Sequence, residues 1–235
     1  MKNQSEGLFA DKKRLESGVV GRAAALFPIF DLAQTDTCLV FQNYWIWKRS
    51  AEITYSISIR NIKGELLFNL NRQRPENINL ISVREIICSS ELMLDSCKEG
   101  SVEIEIFSED NIVYPFPAIM CVYKSSNGMI SAVHAAGRTL NKPIKTVHKF
   151  TETNFYVATS KRFVPFIHLF NGPSGKVENI IVNIKSTKRD SLINSISQEP
   201  LTKPYESRLI YIDLDETETD LSSENTDSSL CLEDQ

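Results

Sequence analysis

Glu52-Ile53-Thr54-Tyr55-Ser56-Ile57-Ser58-Ile59-Arg60 is the stretch on which the reading of the fold turns. In an extended chain Ile53, Tyr55, Ile57 and Ile59 fall on one side; Glu52, Thr54, Ser56, Ser58 and Arg60 fall on the other. A period of two with one apolar and one polar side marks a half-buried strand with a wet face. Asn61-Ile62-Lys63-Gly64 supplies a turn and Glu65–Asn71 a returning strand, so the segment reads as a hairpin.

The same rhythm extends outward in both directions. Thr37–Asn43 is a strongly apolar strand, Val102–Phe107 alternates, and Ala118–Tyr123 follows the kinked Tyr114-Pro115-Phe116-Pro117. Glu103 and Glu105 fall on the wet side of their strand. Ser125-Ser126-Asn127-Gly128 is a turn signal that leads into Met129–Arg138 as a partner strand. Phe163–Phe170, Ile180–Ile184, Ser191–Ile196 and Ser207–Leu214 continue the series. A helix competes only over Val83–Cys97, read as a strand through Ile87 and a helical turn at Ser90–Asp95. Many short strands without a long amphipathic helix define an all-β antiparallel β-sandwich.

A weak internal repeat organises these strands. An apolar strand ending in Asn43, an alternating strand centred on Ile57 and a turn at Lys63-Gly64 are echoed later in the chain. The echo is a strand ending in Asn171-Gly172, an alternating strand centred on Val182 and a turn at Lys188-Arg189-Asp190. The expected division is a flexible N-terminal arm at 1–22, a β-sandwich at 23–145, a second, incomplete sandwich-like repeat at 146–214 and a disordered acidic tail at 215–235. A second set that stops at Leu214 lacks returning strands. It is expected to share a sheet with the first set or to pair with another copy, making the protein a homo-oligomer.

Composition bounds the function classes. The chain has 235 residues, 42% apolar and 24% charged, which is ordinary for a globular protein. Ala23–Phe30 and Ile112–Tyr123 are short and interrupted by Pro28, Pro115 and Pro117, so no membrane span is expected where about 20 apolar residues are needed. Residues 215–235 hold eight acids and no Lys or Arg, leaving 26 basic against 22 acidic groups, about +4, in residues 1–214. The basic residues are scattered in pairs, as at Lys161-Arg162, and no nucleic-acid-binding motif is present. Five cysteines without CxxC spacing, behind a polar start, point to reduced thiols in the cytoplasm.

The order of an apolar strand ending in Asn43, an alternating strand at 53–60, a turn at Gly64 and a strand at 78–87 leading to Gly100–Phe107 resembles sensory rhodopsin transducer proteins. The resemblance covers about 100 residues and carries no functional residue across. It implies a small oligomeric β-sandwich with a binding or adaptor role rather than catalysis.

No catalytic residue, cofactor or metal is assigned. His134, His148 and His168 are spaced by 14 and 20 residues, without the short pairs that zinc ligands favour, and read as histidines beside the core. Two polar groupings are the candidate ligand-binding residues. His134 and Arg138, read on one side of an extended strand with Ala136 between them, would suit a carboxylate, phosphate or sugar; the bland alternative is an exposed polar sheet face. Trp45, Trp47 and Arg49 suit an aromatic and cationic contact, although alternation puts both tryptophans on one face, where packing competes with binding. Asn171-Gly172-Pro173-Ser174-Gly175-Lys176 fails the phosphate-loop spacing and reads as a turn. The expected function is a non-enzymatic binding or adaptor module of unknown ligand, with a protein or a glycan as its partner. The alternative is a carbohydrate-related protein, either a sugar-binding module or an enzyme with a site near His134 and Arg138.

Overall fold

The computed structural model describes residues 21–90, 98–108, 119–134, 138–139, 155–158, 166–172, 180–186, 191–211 and 227–233. The chain divides into two compact units, 1–144 and 145–235. Among the described residues no helix is long and apolar enough to cross a membrane.

The first unit is an antiparallel sandwich. Its elements are β1 (Gly21–Ile29), β2 (Thr35–Gln42), α1 (Tyr44–Arg49), β3 (Thr54–Asn61), β4 (Leu66–Gln73), β5 (Ile78–Ser82), α2 (Val83–Ser89), β6 (Gly100–Ser108), β7 (Met120–Ser125), β8 (Ile130–His134) and β9 (Arg138–Thr139). One sheet runs β4-β3-β6-β1-β9 and the other β5-β2-β7-β8. The alternation of β3 sets the first sheet: Ile57 and Ile59 are fully buried and lie opposite Ile104 and Val102 of β6. Ala23, Ala25, Phe27 and Ile29 of β1 join them, and Leu39, Phe41, Ile119, Cys121 and Tyr123 close the core from the second sheet. Tyr123 ties the layers together, donating its hydroxyl to the Pro28 carbonyl at 3.1 Å and stacking on Phe30. β6 starts at a glycine because a Cβ there would lie 1.9 Å from the Arg60 carbonyl oxygen.

The side of β3 and β6 turned away from the core is not wet. Ser56, Ser58 and Glu103 are nearly as buried as the core. β3 lies between β4 and β6, so longer side chains of both neighbours close over its serines. Asn69 donates to Ser58 at 3.0 Å, Ser56 donates to Asn71 at 3.4 Å, and the Arg60 guanidinium pairs with the Glu103 carboxylate at 2.9 Å.

The segment after β5 also departs from expectation. Val83–Ser89 is helix, not strand, and residues 91–97 lie outside the described residues. Ser82 and Glu85 have capping-box spacing, and the Ser82 hydroxyl accepts from the Glu85 N–H at 3.1 Å. Val83 and Ile87, four apart, then face the core together.

The second unit holds β10 (Phe155–Ala158), β11 (Phe166–Phe170), β12 (Ile180–Ser186), β13 (Ser191–Gln198), β14 (Ser207–Tyr211) and β15 (Asp227–Glu233). They form a sheet β10-β15-β12-β13 and a pair β11-β14, all antiparallel. The acidic tail, expected to be disordered throughout, supplies β15, the strand between β10 and β12. Backbone pairing needs no apolar side chains, and Leu230-Cys231-Leu232 is short enough to be passed over as tail. The second set therefore finds a strand partner in its own last residues.

The two units share a local order. β2 runs into Asn43, the β3–β4 hairpin follows, and β5 pairs back with β2; β11 runs into Asn171, the β12–β13 hairpin follows, and β14 pairs back with β11. The Asn43 N–H donates to the Asn77 carbonyl at 3.0 Å and the Asn171 N–H to the Glu206 carbonyl at 2.8 Å, each acceptor lying just before the returning strand.

Candidate functional site

The two tryptophans part company. Tyr44–Arg49 is a helical turn and a half, and in a helix residues two apart point about 200° away from each other. Trp45 is fully buried, edge-on to Phe41 and stacked on Tyr44, whereas Trp47 is 58% exposed. The expectation that both share one face is thus corrected. Lys48 lies over the Tyr44 ring at 5.9 Å, and Arg49 ends the helix before Ser50 turns left-handed.

His134 and Arg138 do not share a strand. His134 ends β8 opposite Met120, while Arg138 begins β9 opposite Ala24 of β1, in the other sheet. The sequence between them is too uniformly small to show that the chain changes sheets. His168 sits on β11, stacked on Phe170 at 4.3 Å, with neither ring nitrogen hydrogen-bonded among the described residues. Burial lowers its pKa to about 4, so at neutral pH it is an uncharged packing ring. His148 lies outside the described residues, and among those described no cluster of three metal-ligating side chains occurs.

Burial pushes the Cys121 thiol up to about 12. Burial, followed by the hydrogen bond to Asp36, pushes Cys38 up to about 11. Neither forms a thiolate nucleophile at neutral pH. Asn171 is structural, its amide donating to the Lys203 carbonyl at 2.7 Å; residues 173–179 of the loop lie outside the described residues.

The surface with the most unusual chemistry is one the sequence reading passed over: the outer face of β5-β2-β7-β8. Its strands pair so that Leu80, Val40, Met120 and His134 form one cross-strand row, Ser82, Cys38, Val122 and Ala132 a second, and Asp36, Lys124 and Ile130 a third. Ile78, Leu80 and Ile130 are 63%, 71% and 68% exposed. β5 is inverted relative to ordinary patterning, with Ile78 and Leu80 outside and Asn79 inside. Register explains this: pairing Leu80 with Val40 turns Asn79 inward, where its amide donates to the Glu76 and Phe41 carbonyls and its oxygen accepts from the Glu76 N–H. Ile78-Asn79-Leu80 is the available sequence signal, but a reader assigns its apolar members to the core.

At one end of this face the chemistry becomes polar. Gln34, Asp36, Arg84, Lys124, Ser125, Ser126 and Gly128 line an open recess of about 260 Å³. Arg84 is held by two bonds, from Nε and Nη2, to the Leu32 carbonyl at 3.1 and 2.8 Å. Asp36 accepts from the Ser82 hydroxyl at 2.9 and 3.1 Å.

No family model matches the chain, and no curated protein does. Among solved structures there is a slight likeness to a Clostridium perfringens ZmpB structure that holds the M60 catalytic domain with the CBM51-1 and CBM51-2 domains. It has 8% identity and a TM-score of 0.22, and covers 90% of this chain and 31% of that one. At that level the likeness carries no argument about fold or function.

Proposed function

We propose that the protein is a non-enzymatic binding module that takes a protein partner on the outer face of β5-β2-β7-β8. The observation that carries this reading is the inverted β5, which places Ile78 and Leu80 in water at one edge of the sheet, with Leu80 heading the row that runs through Val40 to Met120. Each exposed aliphatic side chain forgoes about 1.5–3 kcal/mol of burial. A solvent-facing aliphatic row such as Leu80, Val40 and Met120 on one sheet face marks an interaction surface. Lys124 and Arg84 at one end fit a partner whose apolar strip ends in acidic side chains. Free Cys38, Cys88 and Cys121 agree with a cytoplasmic setting. The shared order around Asn43 and Asn171 supports a duplicated strand–hairpin–strand unit as the origin of the two halves.

The test compares capture of partners from cell extract by wild type, Leu80→Ser/Ile130→Ser and the control Trp47→Ser. A protein retained by wild type and control but lost by the double variant supports the reading; equal retention by all three removes this face as the interface. A glycan ligand is the second reading. It would suit the exposed Asn69, Asn71 and Gln73 of β4 on the other sheet, and glycan-array binding unchanged in the Leu80→Ser/Ile130→Ser variant would favour it.

A further inference from the structure

We infer that the recess between the β7–β8 turn and α2 is a subsite for a single carboxylate, an Asp or Glu side chain of the partner; this rests on the binding-module reading above. Three observations carry the inference.

The first is charge. The lining of the recess holds two cations, Arg84 and Lys124, and one anion, Asp36, a net charge of about +1, with the Glu85 carboxylate outside the lining but near enough to act on Cys38. Asp36 does not neutralise its neighbours: its oxygens accept from Ser82 and from the Cys38 thiol, and among the described residues it forms no ion pair with Arg84 or Lys124. One negative charge completes the balance, and a dianion would meet repulsion from Asp36.

The second is geometry. Arg84 is immobilised through Nε and Nη2, which leaves Nη1 without a hydrogen-bond partner among the described residues. A fixed guanidinium loses little rotamer freedom on binding a planar carboxylate. Lys124 lies directly across from Asp36 on the neighbouring strand, so its ammonium serves the recess from the sheet side. Ser125 and Ser126 add hydroxyls beside it.

The third is size and place. A volume of about 260 Å³ falls below the roughly 300–1,000 Å³ of pockets that enclose whole small ligands, and it suits one side chain. Asp36 and Lys124 occupy the row next to Cys38 and Val122, so a partner lying on the apolar face reaches the recess without leaving the sheet.

The experiment titrates the full chain with sodium acetate at constant ionic strength and follows backbone amide resonances. Saturable shifts at Lys124, Ser125, Ser126 and Gly128 are expected. Lys124→Gln should weaken acetate binding about fivefold, as for loss of one exposed charge contact, and Arg84→Lys should retain part of it. The control Trp47→Ser should leave acetate binding unchanged. Absence of shifts at these amides, or sulfate binding as tightly as acetate, overturns the subsite whatever the fate of the apolar face. Acetate binding with partner capture unaffected by Lys124→Gln overturns the assignment to a partner carboxylate. If the double variant keeps its partner while acetate still binds, the docking reading fails and, with it, the assignment of the anion to a partner.

Discussion

Removing Arg60 tests the covered outer face of β3 and β6 most sharply. The Arg60 guanidinium and Glu103 carboxylate are 2.9 Å apart with side chains 11% and 7% exposed. An exposed pair contributes about 0.2–1 kcal/mol, whereas breaking a buried one costs about 3–5 kcal/mol because the remaining charge is stranded. The residual exposure argues for the lower end, about 3 kcal/mol for Arg60→Met. With a urea dependence of about 2 kcal/mol per molar, the unfolding midpoint should fall by about 1.5 M. Arg60→Met/Glu103→Leu should recover most of that loss, since apolar residues of similar volume replace such pairs at little cost. Tryptophan fluorescence isolates the relevant transition, because both tryptophans belong to the first unit. A midpoint shift below about 0.5 M, or a double variant as unstable as the single one, would refute the claim that Glu103 is a buried charge held by Arg60.

Trp45→Ala should cost about 3–5 kcal/mol and Trp47→Ala no more than about 0.5, read by calorimetry; equal losses would restore the shared face that strand alternation implies. His168 has its pKa lowered from 6.5 to about 4 by burial, so the folded chain binds this proton more weakly than the unfolded chain. Its contribution is fully present above pH 6.5 and is lost as the pH falls from 6.5 toward 4, by about 3 kcal/mol at most. His168→Phe should flatten that part of the stability profile; an unchanged slope between about pH 7 and pH 4.5 would show that the ring is solvated.

Much of the architecture was legible because strand alternation is a local property. Ile57 and Ile59 needed only their own spacing to be assigned to a core, and Ser125–Gly128 only its turn chemistry. The candidate site was largely illegible. His134 and Arg138 looked adjacent because sequence distance says nothing about a change of sheet, and Trp45 and Trp47 looked equivalent because the short helix is decided by packing Trp45 under Phe41. The Ser82–Glu85 capping spacing is present in the sequence, but Ile86 and Ile87 suit a strand equally well, so spacing alone does not decide between them.

The recess and the exposed face belong to a different level. Asp36, Arg84 and Lys124 are separated by tens of residues, and only the pairing of β2 with β5 and β7 brings them together. Residue order alone determined that this chain builds antiparallel strands with apolar interiors, because period two in side-chain direction follows from backbone geometry. Tertiary structure decided which side of β5 faces water and that the polar side of β3 does not. Register depends on the partner strand, and a shift of one residue reverses every side chain, as β5 demonstrates with Asn79 inside and Leu80 outside.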